Sequence, residues 1–379
     1  MRKTVMTDQK LFFELIRVSI GTQKSLSRLP SEVEWEGLFE LAVKQSLVGV
    51  CFSGLHNLGA DSDDGFTKIG LSEDLFFNWM GMAAQINMRN DVVNEQCVDL
   101  QKRLEADGFR SCILKGQGVA LLYGEDLCGF RQSGDIDVWI DAPKEKIINY
   151  AKGIARDVSA TLLHVDLPIF DNTKVEAHFF PSDMNAPVFG RRLRTFYKNE
   201  KKQQMTNICS LPNGTTICSP TNPFNAVYIL NHALSHFLFE GVGLRQMMDY
   251  YFVMQQPFSE DEKTTVIKTI KRFGMYSFAR GVSYILTEVF GAKENFIPAD
   301  ERLGKRILKN VMEEGNFGKY DKKRKGKRMG SSWYRFWYHN VRMWKYFDMA
   351  PWIVATSPVM RVHEYLWRLR HGYFKMNNR

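Results

Sequence analysis

Leu114-Lys115-Gly116-Gln117-Gly118-Val119-Ala120-Leu121-Leu122-Tyr123 and, after a short loop, Arg131-Gln132-Ser133-Gly134-Asp135-Ile136-Asp137-Val138-Trp139-Ile140 decide how this chain is read. The second stretch alternates acidic and apolar residues before becoming wholly apolar. A strand with that pattern puts Asp135 and Asp137 on one face. Carboxylates so close repel, and one stays protonated unless a cation sits between them. A hard divalent ion with oxygen ligands, Mg2+ first among them, removes the repulsion and keeps positions open for phosphate. An edge strand with both acids in solvent accounts equally well for Asp-x-Asp alone. The upstream stretch shifts the balance. Phe109 to Leu114 reads as a short buried strand, broken by Lys115-Gly116-Gln117-Gly118 ahead of a helical run from Val119 to Tyr123. A glycine turn feeding a helix lets backbone N–H groups approach an anion, and Lys115 adds a point charge.

The order strand, Lys-Gly turn, short helix, Arg131-Gln132-Ser133-Gly134 loop, Asp-x-Asp strand resembles the nucleotidyltransferase superfamily with the DNA polymerase β-like fold. More narrowly, Leu114-Lys115-Gly116 followed by Arg131 to Asp137 is similar to a bacterial family of uncharacterised nucleotidyltransferases. The resemblance implies an α+β protein with a small mixed sheet, N-terminal helices and a C-terminal helical domain. It implies that Lys115, Gly116, Gln117, Arg131, Ser133 and Gly134 hold the triphosphate, and that the paired acids hold two metal ions, Mg2+ or Mn2+. A third acid is expected on a later strand. Glu176, in Val175-Glu176-Ala177-His178, is the candidate, so the catalytic and metal-ligating set is Asp135, Asp137 and Glu176. The implied reaction moves a nucleoside monophosphate from an NTP, such as ATP, to an acceptor (RNA, protein or small molecule) and releases pyrophosphate. Superfamily enzymes usually carry Gly-Ser or Gly-Gly where this chain has Gly116-Gln117. That departure leaves as the alternative a catalytically silent nucleotide- or nucleic-acid-binding module of the same fold. A further alternative is an interaction protein acting through its basic C-terminal segment.

Composition sets the frame. The chain has 379 residues, 44% of them hydrophobic and 25% charged, enough for more than one domain and a sizeable core. Charged residues interrupt the N-terminus before a signal-peptide core can form, and no apolar run approaches the roughly 18 to 20 residues a membrane helix needs. The expectation is a cytoplasmic protein without a membrane span. The six cysteines are scattered with no Cys-x-x-Cys pair, so they read as small buried hydrophobes. The net charge of +9 points to an anionic partner without saying which. Much of the excess crowds into 319–328, which is expected to be solvated because so many like charges cannot be buried unpaired.

Working outward, helical periodicity runs through residues 9 to 57, with Ser31 and Glu34 forming a capping-box signature. A long amphipathic helix is predicted from Glu73 to about Asp107, ended by Gly108. After the Asp-x-Asp strand, Pro143 opens a helix to about Ala155. His164 to Phe170 and Lys174 to Phe180 read as a hairpin whose second strand places Glu176 and His178 on one face. A second hairpin spans Ile208 to Cys218 around Pro212-Asn213-Gly214. Helices follow: Phe224 to Phe239, with His232 and His236 facing the same way, and Leu244 to Met254, which carries Arg245 and Asp249. Those four residues form a polar seam facing the site, and they and His178 are expected to support it. Val266 to Phe290 and Asp300 to Glu314 read as further packed helices. The expected domains are a helical layer over 1–107, a catalytic core over 108–220 and a helical domain over 221–379.

Overall fold

The computed structural model describes residues 8–60, 65–321 and 332–371. Helices α1 (Gln9–Ser19), α2 (Glu32–Gln45), α3 (Val48–Asn57), the single turn α4 (Gly65–Lys68) and the long α5 (Glu73–Ala106) make the N-terminal part. The capping box at α2 is present: Glu34 accepts from the Ser31 backbone N–H at 2.8 Å. Gly108, at φ +79°, lets the chain turn out of α5 into the first strand.

Strands β1 (Ser111–Leu114) and β2 (Ile136–Ile140) flank α6 (Gly116–Ala120), a 3-10 turn at Leu121–Tyr123 and α7 (Glu125–Cys128). Helix α8 (Lys144–Ile154) leads to β3 (His164–Asp166) and β4 (Val175–His178). The sheet order is β1-β2-β4-β3, with β1 antiparallel to β2, β4 parallel to β2, and β3 antiparallel to β4. The fold is therefore α+β with a small mixed sheet. Alternation assigns its faces. Ile113, Ile136, Val138, Ile140 and Ala177 pack with α5 and α8 residues such as Leu104 and Ile147, while Cys112, Leu114 and Trp139 join a second, larger core on the other face.

Helix α9 (Pro187–Gln204) and the ribbon β5 (Ile208–Ser210) with β6 (Thr216–Cys218) precede the last helices. These are α10 (Asn222–Phe239), α11 (Leu244–Met254), α12 (Glu260–Arg272), α13 (Tyr276–Glu288), α14 (Glu301–Glu314), α15 (Ser332–Trp344) and α16 (Pro351–Arg370). The stretch from Val266 to Phe290, read as packed helices, spans the end of α12 and the whole of α13, with Gly274 at φ +69° between them. The N- and C-terminal helices share the larger apolar core. Gln45 joins them directly, donating to Val311 O at 3.0 Å and accepting from Leu244 N–H at 2.9 Å. Among the described residues no helix is long and apolar enough to cross a membrane. Of the basic segment 319–328, residues 322–328 lie outside the described residues.

Candidate active site

The sheet register builds the site. Asp137 on β2 lies opposite Glu176 on the parallel β4, and Trp139 opposite His178. On the other side of β4, Asp166 lies opposite Glu176 and His164 opposite His178. Residues directly opposite share a face, so Asp137, Glu176 and Asp166 form one row and His178 and His164 the next. Asp135, two residues before Asp137, keeps the same parity. Carboxylate oxygens of Asp135, Asp137 and Glu176 lie within 4.8 Å of one another. Three oxygen donors that close fit a hard divalent ion.

The protein supplies its own cations to this cluster. Lys115 Nζ is 3.0 Å from Asp137 Oδ1, and His178 Nε2 is 2.8 Å from the same oxygen. Lys115 holds this position with φ +30°, a sterically costly conformation for a residue with a side chain. Burial alone raises the Asp137 pKa, but Lys115 and His178 outweigh it and hold the carboxyl below its ordinary range. Asp135, at the exposed rim, is pushed above its range by partial loss of hydration and then by the Asp137 charge. Burial opposes the charge on Glu176 too, yet His178, His164 and Lys174 leave its pKa well below normal. Lys174 bonds Glu176 Oε1 and lies 3.2 Å from Asp166. In His178 burial is overcome by Asp137 and Glu176, which raise its pKa; His164 is pushed by burial down to about 4.

The loop before β2 is fastened from two sides. Asn90 on α5 donates to Gly129 O at 2.6 Å and to Arg131 O at 2.8 Å, while Arg245 Nη1 on α11 donates to Gln132 O at 2.6 Å. Arg131 is only 4% exposed and forks onto Asp249, with Nε to Oδ1 at 2.7 Å and Nη2 to Oδ2 at 2.8 Å. Tyr123 donates its hydroxyl to Asp249 Oδ1 at 2.7 Å. Arg131 Nη1 is buried without a hydrogen bond, as is Ser133 Oγ. In the Lys115 turn, Gly116 has φ +45°, and a Cβ on Gly118 would lie 2.3 Å from Ser219 Oγ, so both positions require glycine. The Gln117 side chain turns away into the core, where its amide donates to Asn94 Oδ1 at 2.7 Å.

Of the residues singled out in the sequence, Lys115, Gly116, Arg131, Gly134, Asp135, Asp137, His232, Arg245 and Asp249 line one cleft, walled on one side by the sheet and on the other by α10 and α11. Glu176 and His178 adjoin it through Asp137. His236 stands further out, 4.4 Å ring to ring from His232 and 3.0 Å from Glu240. Gln117 and Ser133, also expected there, do not line it. A larger groove of about 1150 Å³, between α14 and α15, contains none of these residues. Sequence reading passed over His164. The hairpin reading contained the signal, because any register centred near Asp171-Asn172-Thr173 with the same parity turns His164 and Glu176 to one face.

A family model described as uncharacterised nucleotidyltransferase matches residues 31–291, more than half of the chain. The chain belongs to this family. Membership makes it a transferase enzyme of the nucleotidyltransferase kind, and the family span covers every site residue named above. No curated protein matches the chain.

Proposed function

We propose that this nucleotidyltransferase transfers a nucleoside monophosphate from an NTP to an acceptor hydroxyl and releases pyrophosphate, using Mg2+ or Mn2+ in a polymerase β-like core. The observation that carries the reading is the pairing of Asp137 with Glu176 across parallel strands, with Asp135 close enough for all three carboxylates to meet within 4.8 Å. Asp135, Asp137 and Glu176 would hold the metal. When bound, a divalent ion neutralises phosphate charge and orients the attacking and leaving oxygens.

The chain's own residues supply the rest. Lys115, 3.0 Å from Asp137 Oδ1 and lining the cleft, would also offer its remaining N–H donors to the triphosphate. Arg131 Nη1 and the backbone of Gly116 and Gly134 offer donors to phosphate oxygens, with Ser133 Oγ, buried and without a hydrogen bond, behind them in the same loop. Asp249 orients Arg131, and Arg245 fixes the loop carrying it. Asp135, exposed at the open rim of the cleft, stands where an acceptor would approach.

The test is incubation with each α-labelled NTP, Mg2+ or Mn2+ and a cell extract, followed by location of the label. Metal-dependent transfer with pyrophosphate release, absent in Asp135→Asn/Asp137→Asn, is the expected result. Binding of Mg-NTP with no pyrophosphate release under any acceptor condition would instead make the protein a nucleotide-binding module.

A further inference from the structure

We propose that His164, His178 and Glu176 form a second metal site, for a borderline-soft first-row transition ion such as Zn2+ or Co2+, beside the Asp135–Asp137 pair. The inference rests on the nucleotidyltransferase reading only through Glu176, which both sites use.

Geometry comes first. Antiparallel pairing sets His164 directly opposite His178, and Glu176 is two residues away on the same face of β4. His164 Nδ1 lies 3.5 Å from Glu176 Oε2, and His178 Nε2 lies 3.7 Å from that oxygen. One ligand atom from each residue falls within 4.8 Å of the other two. Metal–ligand bonds of about 2.1 Å in a tetrahedron separate the ligands by about 3.4 Å, so small side-chain adjustments close the set. Two imidazoles and one carboxylate leave a fourth position open.

Hydrogen bonding then assigns the lone pairs. His178 Nδ1 faces Phe180 O at 3.3 Å, and a carbonyl only accepts, so this nitrogen carries hydrogen. Nε2 therefore points at Asp137 Oδ1 and Glu176 Oε2, two further acceptors. Such a nitrogen is satisfied by a second proton or by a metal ion, and a ring N–H held by a backbone carbonyl is how metal-bound histidines are oriented. His164 Nδ1 is buried and makes no hydrogen bond. Lys174 takes the far oxygen of Glu176 and leaves Oε2 to face the histidines.

Ligand chemistry separates this site from its neighbour. Imidazole nitrogen suits Zn2+, Co2+ and similar ions, whereas Mg2+ takes oxygen. The all-oxygen cluster of Asp135, Asp137 and Glu176 and the mixed His164, His178 and Glu176 cluster thus differ in which ion they hold, although one carboxylate links them.

The experiment is titration of the chelator-stripped full-length protein with Co2+ in the absence of NTP, read by visible absorption and by hyperfine-shifted proton resonances. Wild type is expected to bind Co2+ with the intense bands of low coordination and two shifted, exchangeable imidazole N–H signals. His164→Gln should lose the bands and weaken Co2+ binding at least about 100-fold, since even outer partners of a metal site are worth 10–100-fold. Asp135→Asn should keep both. No Co2+ bands in wild type, fewer than two imidazole signals, or bands that survive His164→Gln but vanish in Asp135→Asn would overturn the proposal. The wild-type spectrum decides even if His164→Gln does not fold. Mg2+-dependent label transfer, measured separately, tests the nucleotidyl-transfer reading, so that reading can stand where this one falls.

Discussion

Asp249→Ala should be among the most damaging single substitutions in the protein, although Asp249 is far in sequence from the acids of the cleft. Asp249 is 5% exposed and receives three hydrogen bonds, two from Arg131 and one from Tyr123. Removing it leaves a guanidinium buried and uncompensated, which costs about 3–5 kcal/mol. The Tyr123 hydroxyl loses its partner as well, at about 1 kcal/mol or more. The sum is a large part of the roughly 5–15 kcal/mol that holds a typical domain together. Replacing both charges with apolar groups of similar volume, Arg131→Met with Asp249→Leu, removes the orphan and should recover most of the loss. Urea denaturation of Arg131→Met, Asp249→Leu and their double variant, beside Asp249→Ala, measures this as a cycle. An Asp249→Ala cost under about 1 kcal/mol, or a double variant as unstable as the two single losses added, would refute the reasoning.

The same cycle separates support from binding. Arg131 keeps Nη1 free of hydrogen bonds and lines the cleft. If that nitrogen meets phosphate, the double variant folds but binds Mg-NTP more weakly. Stability and affinity then move independently.

Asp137→Asn should lower stability by about 3 kcal/mol, because it strands Lys115 and His178 beside a neutral amide; a thermal melt at least as high as wild type would contradict this. Mg2+ or Mn2+ should raise the melting temperature of wild type, and saturating NTP should raise it further, by about 2.7 kcal/mol of added stability at 100 times Kd; Asp135→Asn/Asp137→Asn should show neither shift. Away from the cleft, burial tends to raise the Asp141 pKa, but Lys201 and Arg110 hold it below its ordinary value. Its contribution is therefore present above the unfolded carboxylate value of about 3.9 and lost as pH falls through the lower folded value, so Asp141→Asn should cost up to about 1 kcal/mol at pH 7 and nothing in strong acid, as urea midpoints at the two pH values will show.

What could be read in the sequence was whatever is set by local periodicity. Alternation put Asp135 and Asp137 on one face, and put Glu176 and His178 on one face of their own strand. Capping chemistry marked Ser31 and Glu34, and Leu244 to Met254 is helical over the span its pattern indicated. Contacts between distant segments were not legible in this way. That β4 lies parallel to β2 with Glu176 opposite Asp137 is a register fixed by packing on α5 and α8, not by either strand alone. Arg131 was legible from its loop motif and Asp249 from its helix, but their pairing across 118 positions was not.

The consequence is largest for the electrostatics of the cleft. Three converging acids, taken alone, demand either a cation among them or a proton on one of them. The folded chain meets that demand with Lys115 and His178, both held against Asp137 Oδ1. A metal held there would replace protein cations rather than relieve bare repulsion. Were a divalent ion held by Asp137, Lys115 would be released from that carboxylate and free to meet an anion. Metal and triphosphate binding would then be coupled through one ammonium group, so Lys115→Met should weaken NTP binding while strengthening metal binding in the absence of nucleotide.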